Sequence, residues 1–82
     1  MFEVIFDPVA IDFLEKLPKH IGARIYNKII STKANPFRFF ERLTGRRDYK
    51  LRVGDYRVIA DIDVNRNKIQ VTLIGHRKNV YD

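Results

Sequence analysis

Lys50, Arg52 and Arg57 sit within a few residues of each other, on either side of Gly54-Asp55. A guanidinium offers a planar fork of N–H donors that fits phosphate oxygens, and an ammonium adds a compact third charge. The chemistry such a group suits is holding a phosphate and stabilising negative charge that develops on it. Arginine stays protonated, so it cannot take a proton. A base must therefore come from another residue. Lys50, crowded by two guanidiniums, is one candidate. His76 is the other, because imidazole is the side chain that ordinarily titrates nearest neutral pH. A role spread over several groups, with no single strong base, also stands.

Few other reactive groups are present. The 82 residues contain no cysteine, which excludes disulfides, zinc knuckles and thiol nucleophiles and suits a reducing cytoplasm. The single serine, Ser31, falls in helical sequence without a nucleophile-elbow context. His20 and His76 lack metal-ligand spacing, and no glycine pattern marks a phosphate loop. Asp61 and Asp63 could hold a magnesium ion, but Lys68 is expected opposite Asp63 and makes a surface ion pair the simpler reading. An enzyme built from these residues works without metal or cofactor. RNA cleavage meets that condition, because the substrate supplies its own nucleophile, the 2′-hydroxyl. The protein then orients it, removes a proton, stabilises the phosphorane and assists the leaving 5′ oxygen.

Charge points the same way. Sixteen Lys/Arg against ten Asp/Glu give +6. Residues 38–82 hold eleven of the basic and six of the acidic side chains. A basic half-domain suits a polyanion such as nucleic acid, or an acidic protein. The bland alternative is a solvated basic face whose repulsion salt screens. No apolar run exceeds three residues, so no membrane span is expected.

These side chains need elements to hold them. The length suits one domain over residues 1–82. Phe2 to Phe6 reads as a strand. Asp7-Pro8 then starts a helix, with Ala10, Phe13, Leu14 and Leu17 as its apolar stripe. Leu17-Pro18 ends it. A second helix begins near His20, with Ile21, Ile25, Ile29 and Ile30 on its apolar side, and stops before Asn35-Pro36. Phe37, Phe39, Phe40 and Leu43 are expected to plug one end of the core, and Thr44-Gly45 to turn. The period then changes to two. Gly54-Asp55 fits a two-residue type II′ hairpin turn. Asn65-Arg66-Asn67 forms a second turn, and Lys68 to Gly75 the last strand. The predicted fold is α+β in the order β-α-α-β-β-β, with a helical hairpin on one face of a mainly antiparallel twisted sheet.

The first hairpin turn sets the register. Val53 faces Tyr56, Leu51 faces Val58 and Tyr49 faces Ala60 on the core side. Arg52 then faces Arg57, and Lys50 faces Ile59, on the other side. A slip by one residue would bury both arginines, which fixes the parity. Two arginines directly opposite repel, so an anion between them relieves a real cost. Continuing the alternation puts Ile69, Val71 and Leu73 in the core, and Thr72, Ile74 and His76 with the arginines. Arg77 joins that face only if the chain kinks after Gly75. Tyr81 lies beyond the last strand, either loose or folded back to stack on a base.

The run Tyr49-Lys50-Leu51-Arg52-Val53-Gly54-Asp55-Tyr56-Arg57-Val58-Ile59, followed by Gly75-His76-Arg77-Lys78-Asn79-Val80-Tyr81, resembles the RelE/ParE superfamily of toxin–antitoxin systems, and its RelE branch in particular. The resemblance implies a toxin that enters the ribosomal A site and cuts mRNA there. It matches Lys50 and Arg52 to two basic active-site positions and Arg57 to the transition-state arginine. Arg77 matches the arginine after the last strand, and Tyr81 the terminal tyrosine that stacks on the substrate base. Arg42, Arg46 and Arg47 are expected to contact ribosomal RNA, or else to form a solvated loop. The implied partner is a RelB-like antitoxin, in a heterotetramer. A ParE-like toxin, which inhibits DNA gyrase by binding, shares the fold, and a catalytically silent RNA-binding module is a further alternative.

Overall fold

The computed structural model describes residues 1–79. Strand β1 (Glu3–Phe6) is followed by helices α1 (Pro8–Lys16) and α2 (Lys19–Ser31), then by a short 3-10 turn (Pro36–Arg38). Strands β2 (Glu41–Arg42), β3 (Tyr49–Val53), β4 (Tyr56–Asp63) and β5 (Lys68–His76) complete the chain. The sheet order is β1-β5-β4-β3-β2; β1 runs parallel to β5 and the other neighbours are antiparallel. This is the expected α+β layering with one addition, the two-residue β2, which the weak patterning of that region did not announce.

Asp7 caps α1 by position, with Pro8 in the first turn, yet its side chain makes no capping bond. Its Oδ1 accepts instead from Gln70 Nε2 at 2.6 Å, tying the start of α1 to β5. The hairpin of α1 and α2 closes tightly because Gly22 has no side chain: a Cβ there would lie 3.0 Å from the Leu14 carbonyl oxygen. Ile25 and Ile29 of α2 pack against Val58, Ile69 and Val71 of the sheet, all nearly inaccessible. Phe2 donates its N–H to the Lys33 carbonyl at 2.9 Å, fastening the end of α2 to the start of β1. No helix among the described residues is long and apolar enough to cross a membrane.

The first hairpin has the anticipated register: Val53 pairs with Tyr56, Arg52 with Arg57, Leu51 with Val58, Lys50 with Ile59 and Tyr49 with Ala60. Gly54 has φ +58 and Asp55 keeps a negative φ, as a type II′ turn requires. The second hairpin departs from simple alternation. Ala60 pairs with Val71 but Ile59 pairs with Leu73, so Thr72 is an extra residue in a β-bulge. Its Oγ1 donates to the Ile59 carbonyl at 3.3 Å. Past the bulge the faces exchange. Ile74, expected beside the arginines, is 2% exposed in the core, and Leu73, expected in the core, is 41% exposed. Two aromatics also differ from expectation. Phe40 is buried, but Phe37 and Phe39 are partly exposed, and Leu43 packs on Ile59 in a separate small cluster rather than in the main core.

Two substitutions at the bulge and one at the turn check this geometry. Ile74→Ala should cost about 2–5 kcal/mol in urea unfolding, as buried truncations do, while Leu73→Ala should cost less than about 1 kcal/mol. The reverse order, with Leu73→Ala the more costly, would restore the unbulged register. Gly54→Ala should destabilise by about 1–2 kcal/mol, because an L-residue is forced into the left-handed region.

Candidate functional site

The site lies where β2 stops pairing and β3 continues. β2 pairs only with Tyr49 and Lys50, so residues 51–53 have no strand partner on that side. A cleft of about 340 Å³ opens there, lined by Lys28, Arg38, Phe39, Glu41, Lys50, Leu51, Arg52 and Arg57. Among the described residues, five cations and one carboxylate therefore share one recess. The three cations read from the sequence are all present. Their convergence follows from the II′ turn: directly opposed residues place Cβ atoms about 4.5–5.5 Å apart, and the core claims the alternate positions.

The three differ in freedom. Arg52 is exposed, while Lys50 and Arg57 are half-buried, and the Arg57 Nε is shielded from solvent. A guanidinium held partly out of water interacts more strongly with a charge placed against it than an exposed one does. Glu41 lies opposite Lys50 in the β2–β3 pair, so a carboxylate borders the cations on one side. The Lys28 ammonium lies 4.9 Å from the centroid of the Phe39 ring, within the range of a cation–π contact.

Lys28, Arg38, Phe39 and Glu41 were not assigned to the site from the sequence. Lys28 belongs to the polar side of α2, where it looks like an ordinary solvated charge. Arg38 and Phe39 follow Pro36 in a stretch without period. Packing of the α2 terminus and the 3-10 turn against the β3 edge brings these residues to the cleft, and no local pattern encodes that.

Other expected positions are redistributed. His76 pairs with Tyr56 on the helix-covered face, and its ring meets the Tyr56 ring edge-on with centroids 5.5 Å apart. The bulge at Thr72 is the reason that parity failed, so His76 is not beside the arginines. The same bulge brings Arg77 into phase with Arg57, earlier in the chain than a kink after Gly75. Arg77 does not line the cleft, however. Its N–H donates to the Asp55 carbonyl at 2.8 Å, and its Nε lies 3.9 Å from Asp55 Oδ1, so it sits at the hairpin turn. Tyr81 lies outside the described residues.

The loop arginines are separate again. Arg46 is held by Asp48 at 2.6 Å. Arg42 donates from Nε to the Arg46 carbonyl at 3.4 Å, and Arg47 lines a different recess with Asp61 and Asp63. Asp63 does lie opposite Lys68, as expected, and its Oδ1 also accepts the Arg66 N–H at 3.2 Å.

Comparison with known proteins places this geometry in a family. Among solved structures, the toxin–antitoxin complex RelBE2 of Mycobacterium tuberculosis matches with a TM-score of 0.82 at 25% identity, over 93% of this chain and 98% of that one. The RelB-RelE antitoxin–toxin complex of Methanococcus jannaschii matches with a TM-score of 0.72, also at 25% identity, over 95% of each chain. The isolated RelE toxin of Escherichia coli shares the fold, with a TM-score of 0.75 at 18% identity over 93% of this chain and 84% of that one. No curated protein matches the chain. The family model described as the ParE toxin of the type II toxin–antitoxin system parDE matches residues 4–81. With nearly the whole length matched, the chain belongs to the ParE toxin family of type II toxin–antitoxin systems, within the RelE/ParE superfamily.

Proposed function

We propose that this toxin is an endoribonuclease that cuts mRNA in the ribosomal A site without a metal ion. The observation that carries the reading is the cleft itself: Lys28, Arg38, Lys50, Arg52 and Arg57 around one recess, with Glu41 the one carboxylate among the described residues that line it. In the reaction the 2′ oxygen forms a bond to phosphorus and the bond from phosphorus to the 5′ oxygen breaks. The 2′-hydroxyl gives up a proton and the 5′ oxygen gains one. A 2′,3′-cyclic phosphate and a 5′-hydroxyl result. Arg57, half-buried at the side of the cleft, stabilises the charge on the phosphorane. Arg52 holds the phosphate from the facing strand. Lys50 is the assigned proton acceptor, because it lines the cleft and His76 does not. Arg77, at the hairpin turn, is assigned to the leaving group, and Tyr81 to base stacking. Arg42 and Arg47 are assigned to ribosomal RNA; Arg46 contributes less, being neutralised by Asp48.

A RelB-like antitoxin in a heterotetramer is the proposed partner, and the cytoplasm the proposed compartment. Charge complementarity would bring an acidic antitoxin to the basic surface. Its apolar contacts fall on the groove of about 550 Å³ between α1 and α2, lined in part by Ile11, Leu14, Leu17, Ala23 and Tyr26. A second reading is favoured by the family model, which is that of ParE toxins: inhibition of DNA gyrase by binding, with no cleavage.

Arg57→Ala should lower cleavage on programmed ribosomes by about a hundredfold or more and relieve growth arrest, with unfolding unchanged within about 1 kcal/mol. Undiminished cleavage by that variant would remove the mechanism. On expression of the parent chain, mapped mRNA ends terminating in cyclic phosphate are expected. A DNA-damage response with intact mRNA would select the gyrase reading instead.

A further inference from the structure

A second groove, of about 520 Å³, adjoins the cleft and is lined by Arg24, Asn27, Lys28, Arg52, Val53 and Gly54. It shares Lys28 and Arg52 with the cleft, so these two side chains border both recesses. Among the described residues, none of those lining it is acidic. Arg24 and Lys28 are one helical turn apart on α2, about 6 Å along its axis. Arg24 is seated against the hairpin turn. A Cβ on Gly54 would lie 3.1 Å from its Nη1 and 3.4 Å from its Cζ and Nη2, so the guanidinium covers the turn that carries Arg52 and Arg57. Asn27 adds an amide able to donate to a phosphate oxygen between the two cations.

We propose that this groove is a second phosphate subsite, in which Arg24 and Lys28 hold the sugar–phosphate backbone of a single RNA strand next to the nucleotides in the cleft. The inference rests on the ribonuclease reading and extends it from a single scissile phosphate to a strand spanning both recesses. The groove presents two guanidiniums, an ammonium and an amide beside Val53 and Gly54, with no aromatic ring among the described residues on which a base could stack, so it grips backbone and leaves base identity unread. Arg24 and Lys28 are binding residues in this scheme and take no part in proton transfer.

The test uses 2′-O-methyl oligonucleotides, which lack the nucleophile and survive intact. Binding of a trinucleotide and a nonanucleotide to the full chain is followed by fluorescence anisotropy across a salt series. The parent should bind the longer strand more tightly. Arg24→Ala with Asn27→Ala, neither of which lines the cleft, should leave trinucleotide affinity unchanged and weaken the nonanucleotide about tenfold. The double variant should also flatten the salt slope by about 0.7, for the one cationic phosphate contact removed on a single strand. Asn65→Ala with Arg66→Ala, the same charge change at the far hairpin, should do neither. A double variant that keeps the parent's length dependence, weakens both oligonucleotides equally, or matches the far-hairpin control overturns the subsite. Loss of polyglutamate binding with nonanucleotide binding intact would reassign the groove to an acidic protein segment, and overturns it too. Cleavage on programmed ribosomes separates the two claims. A parent that cleaves alongside an indifferent double variant loses the subsite alone. A parent that binds strands as described yet cleaves nothing loses the nuclease reading alone, and one that binds neither oligonucleotide loses the subsite.

Discussion

Arg52 and Arg57 face one another because the core leaves them no other direction. Leu51, Val53 and Val58 are each needed beneath the helices, and strand geometry sends the residues between them to the opposite side. The two-residue turn then sets one arginine directly across from the other. Like charges so opposed cost up to about 1 kcal/mol, a large share of the margin of a domain this small. The sheet tolerates this because the same register buries three branched side chains. Everything else at the site is arranged around that repulsion: Lys50 one pair along, Lys28 and Arg38 brought in from outside the sheet, and Glu41 as the opposing charge among the described residues.

The bulge at Thr72 complements that arrangement. If β5 alternated without interruption, His76 would come to the cation face and Arg77 would turn toward the helices. One extra residue exchanges them and at the same time sends Ile74 inward. The last strand thus serves the core before and after the bulge with opposite parity. Bulges concentrate where a strand must re-aim side chains, and this one decides which of two adjacent basic groups can approach the hairpin turn.

How far the sequence alone reveals this depends on how local the determinant is. The β3–β4 register was readable because a turn type and a strict alternation specify it together, and a slip would bury two arginines. The helix pair was readable from Asp7-Pro8, Pro18 and Asn35-Pro36. The bulge was not, because Thr72, Leu73 and Ile74 are all good strand residues and either parity leaves a reasonable pattern. Phe39 was assigned to the core on hydrophobicity, yet it forms a wall of the cleft with Lys28 over its ring. Lys28, Arg38 and Arg24 belong to elements distant in sequence from the hairpin. Their approach to it is a tertiary fact, set by how α2 and the 3-10 turn rest on the β3 edge.

Helix α2 therefore has two faces with linked positions. Ile25 and Ile29 are buried in the core, and Arg24 and Lys28 flank the β3–β4 hairpin from the same helical turns. A rigid helix cannot move one set without the other. Gly54 makes the connection close: its positive φ permits the turn, and its missing side chain lets the Arg24 guanidinium rest on that turn. The helical layer is consequently more than a cover for the sheet. The packing that stabilises the fold also fixes the distance between cations on α2 and cations on the hairpin, so the spacing of the charged groups is set by apolar contacts in the core.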